Sequence, residues 1–171
     1  MLHRDQPIAI FMPSALKDIA GKMGFGVLRY SPNPIACVID PEFAGQDAAD
    51  VTGIPRHCPV VATVEEACDL GAQVFLLGIA PPGGLIPTEW YPDIDRAWNQ
   101  GMTVVNGLHD LLGPRFGGER VWDIRVEPEG LGVNHGRARE LPAKRVLFIG
   151  TDMAIGKMTA GLEMWAEAKR Q

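Results

Sequence analysis

Short runs of consecutive apolar residues, many of them β-branched, alternate along the chain with segments of mixed polarity. Most of these runs are continuous in hydrophobicity, which predicts strands that are buried on both faces, as in a parallel sheet. The segments between them predict helices. The predicted strands are residues 7–11, 34–39, 59–63, 73–79, 102–106 and 145–149, and the predicted helices are residues 14–22, 64–70, 89–100 and 108–112.

This order of elements predicts an α/β fold with a doubly wound, mostly parallel sheet flanked by helices, which we place at residues 1–142. Within it, residues 113–142 are rich in glycine and arginine, and they predict an irregular connection with one short strand at 121–126. Residues 143–171 add one more strand and helix, which cannot form a core of their own. Either they add to the preceding sheet or they begin a second domain, and we favour the second interpretation, in which the chain is the front portion of a longer protein.

The composition narrows the class of protein. Of the 171 residues, 46% are hydrophobic and 22% are charged, as is typical of globular domains, and the net charge of −5 argues against nucleic acid or anionic lipid as a partner. Residues 1–11 lack the apolar core of a secretory signal, and the longest apolar run is too short to cross a bilayer. The three cysteines include no C-x-x-C pair, which predicts neither a disulfide framework nor a zinc site. We expect a cytoplasmic protein that acts on a small molecule. Whether it forms a homo-oligomer stays open.

The strongest motif lies in the segment RVLFIGTDMAIGKMT, residues 145–159. A predicted strand ends at Gly150, five residues follow, and Gly156 and Lys157 then open a helix. In such a loop the backbone N–H groups point inward, the helix N-terminus is partially positive, and the lysine neutralises an anion. The motif therefore predicts a phosphate-binding loop.

Two features separate this loop from the standard P-loop, which has four residues between its glycines and a Ser or Thr after the lysine. The longer GTD-x-x-x-GK spacing resembles the loop of dethiobiotin synthetase, and Met158 follows Lys157. A thioether is a poor ligand for Mg²⁺, and the first hydroxyl, on Thr159, lies about 100° further round the helix. We predict phosphate binding without a metal site. Whether Thr159 contacts phosphate, caps the helix or only packs stays open.

The same segment, extended to GTDMAIGKMTAGLEM, resembles the signature of the DUF1611 family, whose members usually carry cysteine in place of Met153. Further stretches that resemble this family occur upstream in the same order: LRYS (28–31), CVID (37–40), AG (44–45), GIAPPGG (78–84) and GLH (107–109). The resemblance implies a protein of about twice this length, with a Rossmann-like domain followed by a P-loop domain. Some members of the family are D-glutamate N-acetyltransferases that use acetyl-CoA in D-amino acid metabolism.

An acetyl-CoA donor fits the loop because a glycine-rich turn and a lysine can hold its phosphates without magnesium. The residues predicted to bind it are Gly150, Thr151, Asp152, Ala154, Gly156, Lys157, Met158 and Thr159. Two alternatives stay open: an enzyme that uses ATP with Mg²⁺ and resembles dethiobiotin synthetase, and a non-catalytic nucleotide-binding module. We expect the 171 residues alone to be inactive, since the resemblance implies that half of the site lies outside them.

Two residues are candidates for catalysis. His109 follows the predicted strand 102–106 and could accept a proton from an attacking amine, although a helix-capping role is an alternative. Asp152 lies inside the loop, where it could orient Lys157 or contact substrate, or could cap the loop's own amides.

Other patterns give weaker predictions. The stretch 81–84, Pro-Pro-Gly-Gly, lies at the carboxyl end of a strand, where open α/β sheets bind ligands. Asp40 ends its strand as the ribose-binding acid of a dinucleotide site does, but no G-x-G-x-x-G follows the first strand, so we do not predict such a site. His135, Arg137 and Arg139 could grip a carboxylate or form a solvated linker.

Overall fold

The computed structural model describes residues 2–130, 132, 136–152 and 155–171. The chain divides into two compact units, Met1–Glu127 and Pro128–Gln171. Among the residues described, no helix combines the length and the apolar character that a bilayer crossing needs.

The first unit is built on a six-stranded sheet in which every strand pair is parallel and the strand order is β3-β2-β1-β4-β5-β6. The strands are β1 Ile8–Phe11, β2 Ile35–Ile39, β3 Val60–Val61, β4 Val74–Leu77, β5 Thr103–Asn106 and β6 Val121–Asp123. Five of the six predicted strands, those between residues 7 and 106, are confirmed as strands of this sheet. The short strand predicted at 121–126 is confirmed as β6. The order reverses between β1 and β4, which is the arrangement of a Rossmann-like fold.

Burial explains why the apolar runs are continuous. Alternate residues of β1 enter two separate cores, with Ala9 and Phe11 on one face and Ile8 and Ile10 on the other, and all four are at most 2% exposed. Helices cover both faces, as expected for a parallel sheet. The helices are α1 Lys22–Tyr30, α2 Ala48–Thr52, α3 Val64–Asp69, α4 Tyr91–Asn99 and α5 Gly113–Phe116 in the first unit, and α6 Lys157–Ala168 in the second.

Two predicted helices are wrong, while 64–70 and 89–100 are confirmed as α3 and α4. Residues 14–22 form a loop and a short 3₁₀ turn, Ile19–Gly21, so that α1 begins only at Lys22. Residues 108–112 form a loop that precedes α5. In the first loop, the Asp40 carboxylate accepts the N–H groups of Ser14 and Leu16. In the second, the side chains of Asn106 and Asp123 accept the N–H groups of Leu108 and Leu112.

The second unit departs from prediction around α6. The predicted strand 145–149 forms no hydrogen-bonded strand with the described residues, and Leu147 and Ile149 are about four-fifths exposed. On α6, Met158 and Trp165 are more than half exposed. The described residues of this unit include no strand, so no sheet formed by them covers these apolar side chains.

Helix α1 packs closely on the sheet because glycines lie where the helix and the sheet meet. Gly24 donates its N–H to the carbonyl of Gly78, with a distance of 2.7 Å, and the buried side chain of Met12 fills the space beside them. A Cβ on Gly24 would lie 2.2 Å from Met12 Sδ, and one on Gly78 would lie 2.6 Å from Ile10 Cγ2. These glycines serve helix–sheet packing.

Gly24→Ala is expected to lower the free energy of unfolding by about 1–3 kcal/mol, because a buried methionine must give way to the new methyl group. Urea unfolding measures the change. In a Met12→Ala background the added cost of Gly24→Ala should largely disappear, since the clashing atoms are gone. An equal cost in both backgrounds would contradict the packing role.

Candidate functional site

The N-terminus of α6 carries the phosphate-loop residues. Gly156 precedes the helix with φ of +89°, a conformation that favours glycine. Because glycine has no side chain, this position supplies no side-chain acceptor for the first N–H groups of the helix. The first N–H groups of a helix have no intrahelical acceptor, so these amides, with Lys157 at the first helical position, form a donor-rich end suited to an anion.

The loop brings Gly150, Ile155 and Lys157 together. A Cβ on Gly150 would lie 2.3 Å from Ile155 Cδ1 and 3.0 Å from Lys157 Cδ, so a side chain at this position would require these two side chains to move. Lys157 Nζ donates a hydrogen bond to the main-chain carbonyl of Asp152. This carbonyl is a neutral acceptor, and an anionic acceptor would make a stronger hydrogen bond to the ammonium group.

A cleft of about 350 Å³ lies beside the loop. Its volume is in the range of small-molecule sites, and its one cationic side chain is Lys157. It is lined by Leu147, Phe148, Ile149, Ile155, Gly156, Lys157 and Ala160. The cleft therefore combines apolar side chains with one cationic group.

The remaining described residues of the loop lie at the surface. Thr151, Asp152, Met158 and Thr159 are exposed, and Met158 occupies the position where a standard P-loop has its magnesium-binding hydroxyl. Across the described ranges, no three His, Cys, Asp or Glu side chains cluster as a metal site would. Ala154 lies outside the described residues.

In the first unit, His109 and the stretch 81–84 lie together, although they are distant in sequence. The N–H of His109 donates to the carbonyl of Gly84 at 2.8 Å. The imidazole packs against Gly84 so closely that a Cβ there would lie 2.3 Å from His109 Cδ2. His109 is itself exposed. It is thus not a helix cap but a side chain held at the carboxyl edge of the sheet.

A polar network, which the sequence analysis missed, fixes the loop that carries His109. Asn106, fully buried at the end of β5, donates to Asp123 Oδ1 at 2.7 Å and to the carbonyl of Asp110 at 2.6 Å. Asp123 in turn accepts the N–H groups of Leu112 and Gly113. The signal was present in the sequence, since a polar residue ends each of two adjacent strands.

Asp40 does not have the role of a ribose-binding acid. It is fully buried, and its carboxylate accepts the N–H groups of Ser14 at 3.0 Å, Leu16 at 3.3 Å and Glu42 at 3.1 Å. The carboxylate is therefore committed to shaping the loop after β1.

The cysteines are structural. Burial raises the pKa of the Cys37 thiol to about 12 and that of Cys58 to about 11. Both thiols stay protonated at neutral pH, and the thiol form is a poor nucleophile. Burial also raises the pKa of Cys68. None of the three is a candidate nucleophile.

The arginines of the second unit lie on the surface. Arg137 and Arg139 belong to an exposed 3₁₀ turn, Arg137–Glu140, and the carbonyl of Ala138 in that turn accepts from Arg145. This arrangement fits the solvated linker better than a carboxylate clamp. His135 lies outside the described residues.

Two family models match the chain. DUF1611_N, described as a Rossmann-like domain of unknown function, matches residues 41–127. DUF1611, described as a P-loop domain of unknown function, matches residues 132–171. The first of these agrees with the parallel sheet and flanking helices of the unit in which it lies.

Individual proteins are also similar. A D-glutamate N-acetyltransferase of Tritonibacter scottomollicae is 29% identical over 171 residues, covering 95% of this chain and 48% of that protein. One from Pseudoalteromonas sp is 35% identical over 114 residues, covering 62% of this chain and 34% of that protein. The crystal structure of a DUF1611 family protein from Anabaena variabilis ATCC 29413 matches with a TM-score of 0.87 and 43% identity, over 97% of this chain and 51% of that one. The chain thus spans about half the length of these proteins or less.

Proposed function

This chain belongs to the DUF1611 family, and on that basis we propose that it is part of a D-glutamate N-acetyltransferase in which loop 150–157 binds the phosphates of acetyl-CoA. The names of two similar proteins support the reaction. The observation that carries the choice of donor is the helix terminus at Gly156–Lys157, which offers amides and an ammonium group but has Met158 in place of a magnesium-binding hydroxyl.

Each part of the loop has a task in this proposal. Acetyl-CoA supplies the activated acetyl group. The N-terminal amides of α6 bind phosphate oxygens, and Lys157 Nζ leaves the carbonyl of Asp152 to pair with the anion. The apolar side chains of the neighbouring cleft cover the less polar part of the donor.

Calorimetry with the complete gene product that contains this chain tests donor binding. We expect coenzyme A to bind equally well with and without Mg²⁺, because the residue directly after Lys157 has no hydroxyl group to bind the metal. Tight binding of ATP that requires Mg²⁺, together with no binding of coenzyme A, would contradict the proposal and favour an ATP-dependent enzyme.

The transfer reaction is tested in the complete gene product that contains this chain. Release of free thiol from acetyl-CoA is expected with D-glutamate and much more slowly with L-glutamate, which has the same charges but the opposite configuration. Binding of coenzyme A with no thiol release for any D-amino acid would indicate a non-catalytic nucleotide-binding module. That result would refute the proposed transferase activity.

A further inference from the structure

The crevice where Rossmann-like sheets usually bind ligands is closed in this chain. Such ligands enter where the strand order reverses, here between the loops after β1 and β4. These loops are joined by a hydrogen bond from Ala80 N–H to the carbonyl of Ala20, at 2.9 Å, and by the contact of Gly24 with Gly78, while Met12 fills the interior. A ligand at this edge must therefore lie further along the sheet.

The loops after β4 and β5 are the next pair along the edge, and they hold an exposed imidazole in place. Gly84 accepts the N–H of His109 and supports its ring, and the Asp110 carboxylate accepts the N–H of Ile86 at 2.6 Å. Two crossing hydrogen bonds thus fasten the loops to each other. Such prior fixing lowers the entropy that a side chain loses when it binds a ligand.

An arginine is hydrogen-bonded to the loop that carries His109. Arg125 follows β6, is exposed, and donates Nε to the carbonyl of Gly107 at 2.7 Å. That bond uses one of the five N–H groups of the guanidinium. The acidic side chains nearest to this loop, Asp110 and Asp123, are engaged with backbone N–H groups of the unit.

We infer that the loops after β4 and β5, together with Arg125, form a binding site for a small amino acid. An imidazole nitrogen can accept a hydrogen bond from an ammonium group, and a guanidinium pairs with a carboxylate. His109 and Arg125 are the contacting residues, and Gly84 is a positioning residue that sets the imidazole. The choice of D-glutamate as the probe rests on the proposed function, whereas the site rests on the geometry of the first unit.

Two adjacent glycines provide a matched pair of variants. Gly83 and Gly84 have φ of +78° and +69°, so alanine strains the backbone similarly at each position. A Cβ on Gly84 would meet His109 Cδ2 at 2.3 Å, whereas one on Gly83 would meet no atom within 4 Å. Gly84→Ala therefore displaces the imidazole, and Gly83→Ala controls for the strain.

The experiment follows the imidazole resonances of His109 by NMR in the 171-residue chain during titration with D-glutamate, with His109→Gln used for assignment. We expect a saturable shift, retained in Gly83→Ala within about threefold in Kd. Gly84→Ala and Arg125→Gln should each raise Kd by at least about tenfold, the loss expected for one charge-assisted hydrogen bond. Arg125→Gln is an exposed change and tests the site even if Gly84→Ala does not fold.

Absence of a saturable His109 shift, or equal Kd values in Gly83→Ala and Gly84→Ala, would overturn the inference. An unchanged Kd in Arg125→Gln would also overturn it. Coenzyme A binding is measured separately at α6. If it fails while D-glutamate still shifts His109, the proposed donor is wrong and the amino-acid site remains.

Discussion

Coenzyme A binding by this chain is expected to weaken by about 10- to 100-fold when Lys157 is replaced with alanine. A hydrogen bond to a charged partner contributes about 1.5–3 kcal/mol, and each 1.4 kcal/mol corresponds to about a factor of ten in Kd. Lys157 Nζ already lies within the loop, at the carbonyl of Asp152. Its removal therefore deletes a cation that needs little reorganisation to meet a phosphate.

Lys169→Ala is the matched control for this experiment, because it removes the same charge from the opposite end of α6. Lys169 follows the helix, and its Nζ lies over the ring of Trp165, 3.6 Å from the centroid. We expect the Kd of this variant to change by less than about threefold, as a distant exposed charge is screened by salt. Equal losses in both variants would show a general charge effect, and no loss in Lys157→Ala would refute the phosphate loop.

Asp40→Ala is expected to lower the free energy of unfolding of the first unit by about 3–5 kcal/mol. The variant leaves the N–H groups of Ser14, Leu16 and Glu42 without their acceptor, and each unsatisfied buried group costs about 1–3 kcal/mol. The three costs do not add fully, because water reaches the less buried amides. Urea unfolding followed by circular dichroism measures the loss.

Asp18→Ala provides the comparison for Asp40→Ala. Asp18 lies in the same loop but is exposed, and its carboxylate accepts only the N–H of Ala20, at 2.7 Å. Removing a single exposed cap should cost about 0.5–1 kcal/mol. If Asp40→Ala costs no more than Asp18→Ala, the buried carboxylate does not organise the loop after β1.

The strands were predictable because burial on two faces leaves a direct mark on the sequence, as in Ile8–Phe11. The loop after β1 was not, because the side chain that accepts its N–H groups lies far away along the chain. Residues 14–16 look helical by pattern, but Asp40, at least 24 residues later, accepts two of their amides. Hydrophobic periodicity does not reveal a hydrogen bond between residues so far apart in sequence. The strand predicted at 145–149 failed for a related reason, since a strand requires a neighbour as well as a suitable sequence.

The candidate sites divide in the same way. The helix that begins at Lys157 was predictable because it follows directly on the glycine-rich loop and the lysine. The contact of His109 with Gly84 could be anticipated only in part: the carboxyl ends of neighbouring parallel strands share an edge, but nothing in the sequence indicates that the ring would lie on a glycine. Likewise, Met12 gave no sign that it fills the usual ligand crevice.

The two edge strands of the sheet, β3 and β6, bear on how the protein avoids aggregation. At one end, β3 has two residues, and the segment before it already covers its outer side, with Gly45 N–H donating to Val60 and Val60 N–H donating to Gln46, both at 2.9 Å. At the other end, β6 has three residues. Neither end offers a long row of free backbone groups onto which another chain could add a strand. If the protein self-associates, we expect it to do so through side-chain surfaces rather than by extending the sheet.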